Sequence, residues 1–473
     1  MICLPTIDSA FQLLRHLTAT SNLRTIKNLH ARLLRTGILF DSLITCSKLI
    51  FAYTTTSPYK TTHQTLTNFF NFLNCQNPFP FNLLICEYCR SGFSILPLQT
   101  LSFMHGHGVV LDTYALCGAL TAASTVRAVE FGQQMHAYVE KSGWSASVFL
   151  GSALVGLYAR SLIIEDAEKV FDEIPMKNTV CANALLVGYT EAKLWAKVME
   201  LVRTMPVLNL SYDHFTLTAA LSSCAALSTV DFGGQVHAHI LKRIYNVKND
   251  VFILSALIEL YGKCGLVGKA AQVFNLEGFS GREEQTRDVV LWTSMLGAYG
   301  RNGHYISVVN FYKNMLAEGI RPDGVAFLTV ISACAHTGQL NLGFEYFHSM
   351  VNDFGLDPGP EHYSCMIDLL CKAGELEKAW KMVGEMPCRW TDNCVPLWGA
   401  LLHACKDRGN MYLGRLAAQK ALELDSQNAG VYAMLLNFYA RLGMWDQIDR
   451  MTQLMKGRGL KKDAGRSWIE VTS

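Results

Sequence analysis

The sequence predicts an all-α protein, a solenoid of helix-turn-helix repeats of about 35 residues. Three observations carry the prediction. A short phrase ending in glycine keeps returning: YCRSG at 88–92, YGKCG at 261–265, YGRNG at 299–303, CAHTG at 334–338, LCKAG at 370–374 and YARLG at 439–443. Gly265, Gly303, Gly338, Gly374, Gly409 and Gly443 stand 38, 35, 36, 35 and 34 residues apart. The apolar residues between these marks recur at helical spacing rather than in alternation.

The unit can be read element by element. Its first helix carries Lys or Arg in the last turn and ends at a glycine suited to a left-handed C-cap. A second helix follows, as in IIEDAEKVFDEIP and GELEKAWKMVGEMP, with acids in its first turn. Pro175 and Pro387 close two of these second helices. Ala167, Ala270 and Ala379 each stand twentieth in their unit, where a small residue lets the two helices of a hairpin approach closely. Trp292, Tyr363 and Phe81 share the fourth position of the first helix and are expected to pack between neighbouring hairpins. Neither face of such a hairpin can bury itself alone, so each unit leans on the next.

Composition narrows the class further. Half of the 473 residues are hydrophobic and 17% are charged, yet no uninterrupted apolar stretch approaches the ~20 residues of a membrane helix. Even Gly108 to Ser124 is broken by Asp112, so the apolar residues read as a buried seam and no membrane partner is expected. Fifteen cysteines are an odd count, and Cys224, Cys334 and Cys405 all fall eleventh in their unit. A disulfide framework would not follow helix phase, whereas small buried hydrophobes would, which predicts reduced structural thiols in an intracellular compartment. The net charge of +2 is no general basic field. It is uneven, however: before Glu87 the only acids are Asp8 and Asp41, against Arg15, Arg24, Lys27, Arg32, Arg35, Lys48 and Lys60. Such a start resembles an organelle transit peptide. The alternative is a poorly formed basic first repeat, because repeat-like pattern already begins near Ser9.

Tetratricopeptide repeats share the hairpin and nearly the period, but their W-x2-L-G-x2-Y signature does not recur here. What recurs is a unit ending in Asp: GIRPD at 319–323, VKND at 247–250, and Asp112, Asp213 and Asp288 at the same phase. With these marks the chain resembles a plant pentatricopeptide repeat protein of the type with alternating repeat lengths. Residues 78–112, 179–213 and 289–323 resemble its standard units. Residues 113–147, 214–250 and 324–359 resemble its long units, with GQQMHAYVEKSG and GGQVHAHILK matching the G-x-Q-x-H-A phrase. Residues 148–178 and 251–288 resemble its short units, with SALVGLYAR and SALIELYGKCG. Residues 8–41 resemble a further long unit (NLHARLLRTG), followed by a degraded short one through about Asn77.

Toward the end, PEHYSCMIDLLCKAGELEKA at 360–379 resembles the last short unit of such proteins. VPLWGALLHACKDRGN at 395–410 and residues 432–471 resemble the two motifs of the family's C-terminal E region, with Ala464 where Pro is usual before Gly465. The resemblance implies a right-handed superhelical solenoid in three parts. These are a basic N-terminal segment with degenerate repeats (1–77), the repeat array (78–393) and the E-type motifs (394–473).

Some members of the family continue into a cytidine-deaminase-like domain, whose zinc-held water needs an H-x-E and a P-C-x-x-C. The sequence contains no H-x-E, and its one C-x-x-C, Cys86 to Cys89, lacks the preceding Pro and falls within a first helix. His136, His237 and His239 fall on helices, where packing accounts for them better than a metal. No phosphate loop, G-x-S-x-G or paired catalytic carboxylate stands out, so no catalytic residue, metal or cofactor is expected.

Recognition remains. This repeat class reads one RNA base per repeat with two or three side chains. The resemblance places the reading pair at the fifth and last residues of a unit. Standard units then offer Asn82 with Asp112, Asn183 with Asp213 and Thr293 with Asp323, and short units offer Ser152 with Asn178 and Ser255 with Asp288. By the family's pairings, the two Asn–Asp units should prefer U, Thr293–Asp323 G, Ser152–Asn178 A and Ser255–Asp288 G, with early repeats on the 5′ side of the RNA. The long units carry Cys117, Thr218 and Leu328 in the fifth place, poor readers that would leave gaps. The competing reading is that each of these polar residues merely caps a helix, although five polar pairs in one phase suggest more than capping.

The resemblance therefore implies a protein that binds single-stranded organellar RNA. It would specify a site for C-to-U editing and recruit a deaminase or other editing factors in trans through residues 394–471. The compartment would be the mitochondrion or, alternatively, the chloroplast. An organellar factor for RNA stability, splicing or translation is the second reading, and a protein-binding scaffold of the tetratricopeptide kind the third.

Overall fold

A computed structural model of the chain describes residues 23–36, 43–56, 66–67, 77–243, 250–275, 288–386, 395–425, 429–441 and 443–458. The transit-peptide-like start, residues 247–249 of VKND, Pro387 and Ala464 lie outside the described residues. Among those described, 24 helices run from Leu23–Arg35 to Trp445–Gly457, and there is no strand. The protein is all-α, as the repeat predicts.

The chain divides into two compact units, Met1–Leu227 and Ser228–Ser473. In each, successive first helices lie side by side: Val148–Arg160 against Thr179–Glu191 in one, Val251–Lys263 against Val289–Arg301 in the other. The two helices of a hairpin differ in composition because they differ in burial. Val251–Lys263 buries residues over more than half of its circumference, among them Ile253, Leu254, Leu257, Ile258 and Leu260, and leaves Phe252 on the exposed remainder. Ile164–Glu173, a second helix, buries only Ala167, Val170 and Phe171 on one stripe.

The recurring glycines do what the phrase suggested. Gly92, Gly265, Gly303, Gly338, Gly374, Gly409 and Gly443 all have φ between +69° and +86°. The same hinge is built without glycine at Leu162 (φ +62°), where the Leu162 N–H donates to Ala159 O at 3.1 Å and the Ile163 N–H to Tyr158 O at 3.0 Å. A left-handed conformation costs a side-chain-bearing residue about 1–2 kcal/mol, partly offset by the freedom glycine loses on folding. Leu162→Gly, at an exposed side chain, is thus expected to stabilise the first unit by about 0.5–1 kcal/mol. A higher urea midpoint checks this, and an unchanged or lower one would show that the hinge is unstrained.

The long units place Gly132, Gly233 and Gly343 in the twentieth position. Each leaves no room for a methyl group because Leu157, Leu260 or Leu369 of the next unit's first helix fills the space. At these three glycines, then, the small residue admits the neighbouring unit rather than its own hairpin partner. Two of the three fourth-position aromatics bridge units as expected. Trp292 lies 5.0 Å from the Phe274 ring of the preceding unit and 4.6 Å from Phe311 of its own, and Tyr363 lies 5.4 Å from Phe347. Phe81 meets Phe103 of its own hairpin at 6.1 Å.

The histidine of the G-x-Q-x-H-A phrase is also a tie between units. His136 Nδ1 pairs with the Tyr158 hydroxyl at 3.0 Å and His237 Nδ1 with the Tyr261 hydroxyl at 2.7 Å. His30 repeats the contact with Tyr53 at 3.1 Å. Burial, and then Lys269, holds His237 below the ordinary imidazole range. Cys224, Cys334 and Cys405 are buried, and burial pushes the Cys334 and Cys405 thiols up to about 11. Cys86 is exposed on the helix Phe79–Arg90, while the Cys89 thiol donates to Gly118 O at 3.5 Å. Among the described residues no cluster of three or more His, Cys, Asp or Glu could hold a metal, and no helix is long and apolar enough to cross a membrane.

Candidate nucleic-acid interface

The last residue of a unit sits in extended backbone and begins the next unit's first helix, so its side chain has two directions in which to act. One is capping, and it occurs in all five predicted pairs. Asp112 accepts from the Ala115 N–H at 2.9 Å, Asn178 from Cys181 at 2.9 Å and Asp213 from Thr216 at 2.8 Å. Asp288 accepts from Val290 at 2.8 Å and Asp323 from Ala326 at 2.9 Å.

The other direction is back toward the preceding unit. The second carboxylate oxygen of Asp112 accepts from Asn82 Nδ2 at 2.6 Å, and that of Asp213 accepts from Asn183 Nδ2 at 2.6 Å. Thirty residues separate each pair, and the side-by-side packing of first helices brings them together. One carboxylate therefore caps a helix and orients an amide at once. Asp213 is half-buried, and burial raises its pKa. The backbone N–H and hydroxyl of Thr216 and the Asn183 amide more than offset this and hold the carboxyl below its usual range.

Among the described residues no hydrogen bond joins the members of the other three pairs. The Ser152 hydroxyl donates to Val148 O at 2.7 Å, Ser255 to Phe252 O at 3.0 Å and Thr293 to Val290 O at 3.0 Å. A hydroxyl finds an acceptor one turn back in its own helix, and it is too short to prefer the neighbour's carboxylate.

A second set of residues was not singled out from the sequence. The second residue of each unit from 78 to 359 is apolar and exposed: Phe79, Tyr114, Phe149, Val180, Phe215, Phe252, Val290 and Val325. Exposure runs from 41% at Val290 to 79% at Tyr114. Each stands three residues before the fifth position and so shares its helix face. Aromatic and branched apolar side chains beside an amide form a surface that can stack on a flat ring while the amide meets the ring's edge. The recurrence of apolar residues at the second place was the available signal, and at helical spacing it reads as core.

The fold is a helical array that carries an exposed apolar second residue in each unit from 78 to 359 and a polar fifth residue in the standard and short ones. The chain belongs to the pentatricopeptide repeat family. It matches a mitochondrial pentatricopeptide repeat-containing protein of Arabidopsis thaliana at 32% identity, over 83% of this chain and 82% of that one. It matches the chloroplastic pentatricopeptide repeat-containing protein CRR2 of the same plant at 34%, over 76% of this chain and 53% of that one. The chain spans about half the length of several of the relatives it matches, for example 53% of one that is 32% identical. Models of the PPR repeat match at 252–276, 287–336, 325–353 and 354–387, and that of the E motif at 409–470. The fold is similar to that of the pentatricopeptide repeat protein PPR10 in complex with an 18-nt psaJ RNA element. The TM-score is 0.70 at 16% identity, over 96% of this chain and 69% of that one.

Proposed function

We propose that this chain is a sequence-specific single-stranded RNA-binding protein of an organelle that marks sites for C-to-U editing. One observation carries the reading: the Asn82–Asp112 and Asn183–Asp213 pairs stand beside exposed apolar second residues. The crystallised RNA complex of PPR10 and the mitochondrial and chloroplastic names of relatives support the ligand and the compartment. The E motif supports editing, with a deaminase recruited in trans through residues 394–471 rather than catalysis by this chain. A groove of about 800 Å³ there, lined by Tyr412, Leu416, Tyr439, Leu454, Arg415 and Arg458, supports a docking role for this region.

The test exchanges Thr293→Asn and keeps Asp323. Preference at one nucleotide is expected to move from G toward U, with neighbouring positions unchanged. The size should be about 5- to 150-fold, on the scale of about 1–3 kcal/mol for a bidentate base contact. A phosphate contact would instead weaken all sequences alike and change the salt dependence. Transcriptome-wide C-to-U editing in a line lacking the protein separates editing from a role in stability, splicing or translation.

A further inference from the structure

The two Asn–Asp pairs carry the same residues but are not built alike. Asn183 is held at both ends of its amide: Nδ2 donates to Asp213 at 2.6 Å, and Oδ1 faces the Thr216 hydroxyl at 2.9 Å. That hydroxyl also lies 2.8 Å from Asp213 Oδ1, so its one proton is shared between the amide oxygen and the carboxylate, and a single buried group ties the reader, its carboxylate and the next helix together. Asn82 is held at one end only. Its Nδ2 donates to Asp112 at 2.6 Å, but its Oδ1 is buried without a hydrogen-bond partner among the described residues, because Ala115 occupies the place that Thr216 takes in the other pair. An unpaired buried carbonyl favours any rotation that lets it reach water. Asn183 thus has both ends of its amide engaged, and Asn82 has one.

We infer that Thr216, the third residue of the following unit, is a positioning residue that sets how sharply Asn183–Asp213 discriminates between bases. The identity of the preferred base stays with the pair, and the third residue of the next unit controls the strength of the preference. In the units that follow a predicted pair, this place is otherwise held by Ala115, Cys181, Leu291 and Ala326. None of these can offer a hydroxyl, so discrimination should be strongest under 179–213. The inference rests on the reading of these pairs as base readers.

The experiment uses the full chain and a set of single-stranded RNA oligonucleotides in which each position is varied over four bases. Asn183→Ala locates the nucleotide under its unit as the position whose discrimination it abolishes. At that nucleotide Thr216→Ala is expected to lower the ratio of best to worst base about two- to tenfold, the range for one neutral hydrogen bond. Ratios elsewhere should not move, and Thr216→Ser should restore the wild-type value. A folded Thr216→Ala protein with an unchanged ratio, or with equally weakened binding to every sequence, overturns the inference while base reading stands. If Asn183→Ala abolishes discrimination nowhere, base reading itself fails and takes the inference with it. Should Thr216→Ala not fold, Ala115→Thr decides: a raised ratio at the nucleotide located by Asn82→Ala supports the inference, and an unchanged one overturns it.

Discussion

Replacing Trp292 with alanine is expected to destabilise the second unit by about 3–5 kcal/mol, the usual cost of emptying a large aromatic site. The indole is 1% exposed and fills the space between Phe274, on the second helix of one hairpin, and Phe311, on the second helix of the next. Its removal leaves a cavity at a junction rather than inside one hairpin. In a linear array, stability is a sum of hairpin and nearest-neighbour terms, so the loss should stay local. Amide exchange should accelerate in Val251–Asn275 and Val289–Ala317 and remain near wild type in the hairpin Thr179–Thr204 of the other unit. Uniform acceleration along the whole chain would show that the repeats unfold as one body, and an unchanged urea midpoint would show that the site collapses around the missing ring.

The architecture was legible because it is repetitive. A hinge glycine states little by itself, but six at intervals of 34 to 38 residues state a hairpin period, and their positive φ angles confirm the hinge. The aromatic at the fourth position was legible for the same reason. The His136–Tyr158 and His237–Tyr261 ties were not, since neither partner carries chemistry alone and 22 or 24 residues separate them. The candidate site was legible in part. The resemblance put ten candidate residues at the fifth and last places of their units, and among them two hydrogen-bonded pairs form, each an Asn amide on an Asp carboxylate. Ser152, Ser255 and Thr293 turn back to their own helices, a choice made by side-chain length that spacing does not display. The exposed second residue was hidden by its own chemistry. Phe149 and Leu150 are adjacent apolar residues in one helix, yet the first is 75% exposed and the second is fully buried. Only the packing of neighbouring helices separates them.

That exposed set leads to the largest expected effect on binding. Tyr114→Ala and Phe149→Ala together should weaken binding to single-stranded RNA by at least about 30-fold, because stacking on an aromatic side chain contributes about 1–3 kcal/mol per base. The two residues belong to successive units and should contact different bases, so their effects should roughly add. Tyr114 isolates the contribution cleanly. Its unit carries Cys117 in the fifth place, where no amide is available to read an edge. Loss of affinity there would come without loss of base preference. Both side chains are largely exposed, so the urea midpoint should move by less than about 0.5 kcal/mol-equivalent. The slope of log affinity against log salt should also be unchanged, since no cationic group is removed. A double variant that binds as tightly as wild type would show that these rings do not touch the bases. A flattened salt slope would indicate that the RNA had shifted off this face, and a changed base preference at the nucleotide under 113–147 would assign Tyr114 to reading rather than stacking.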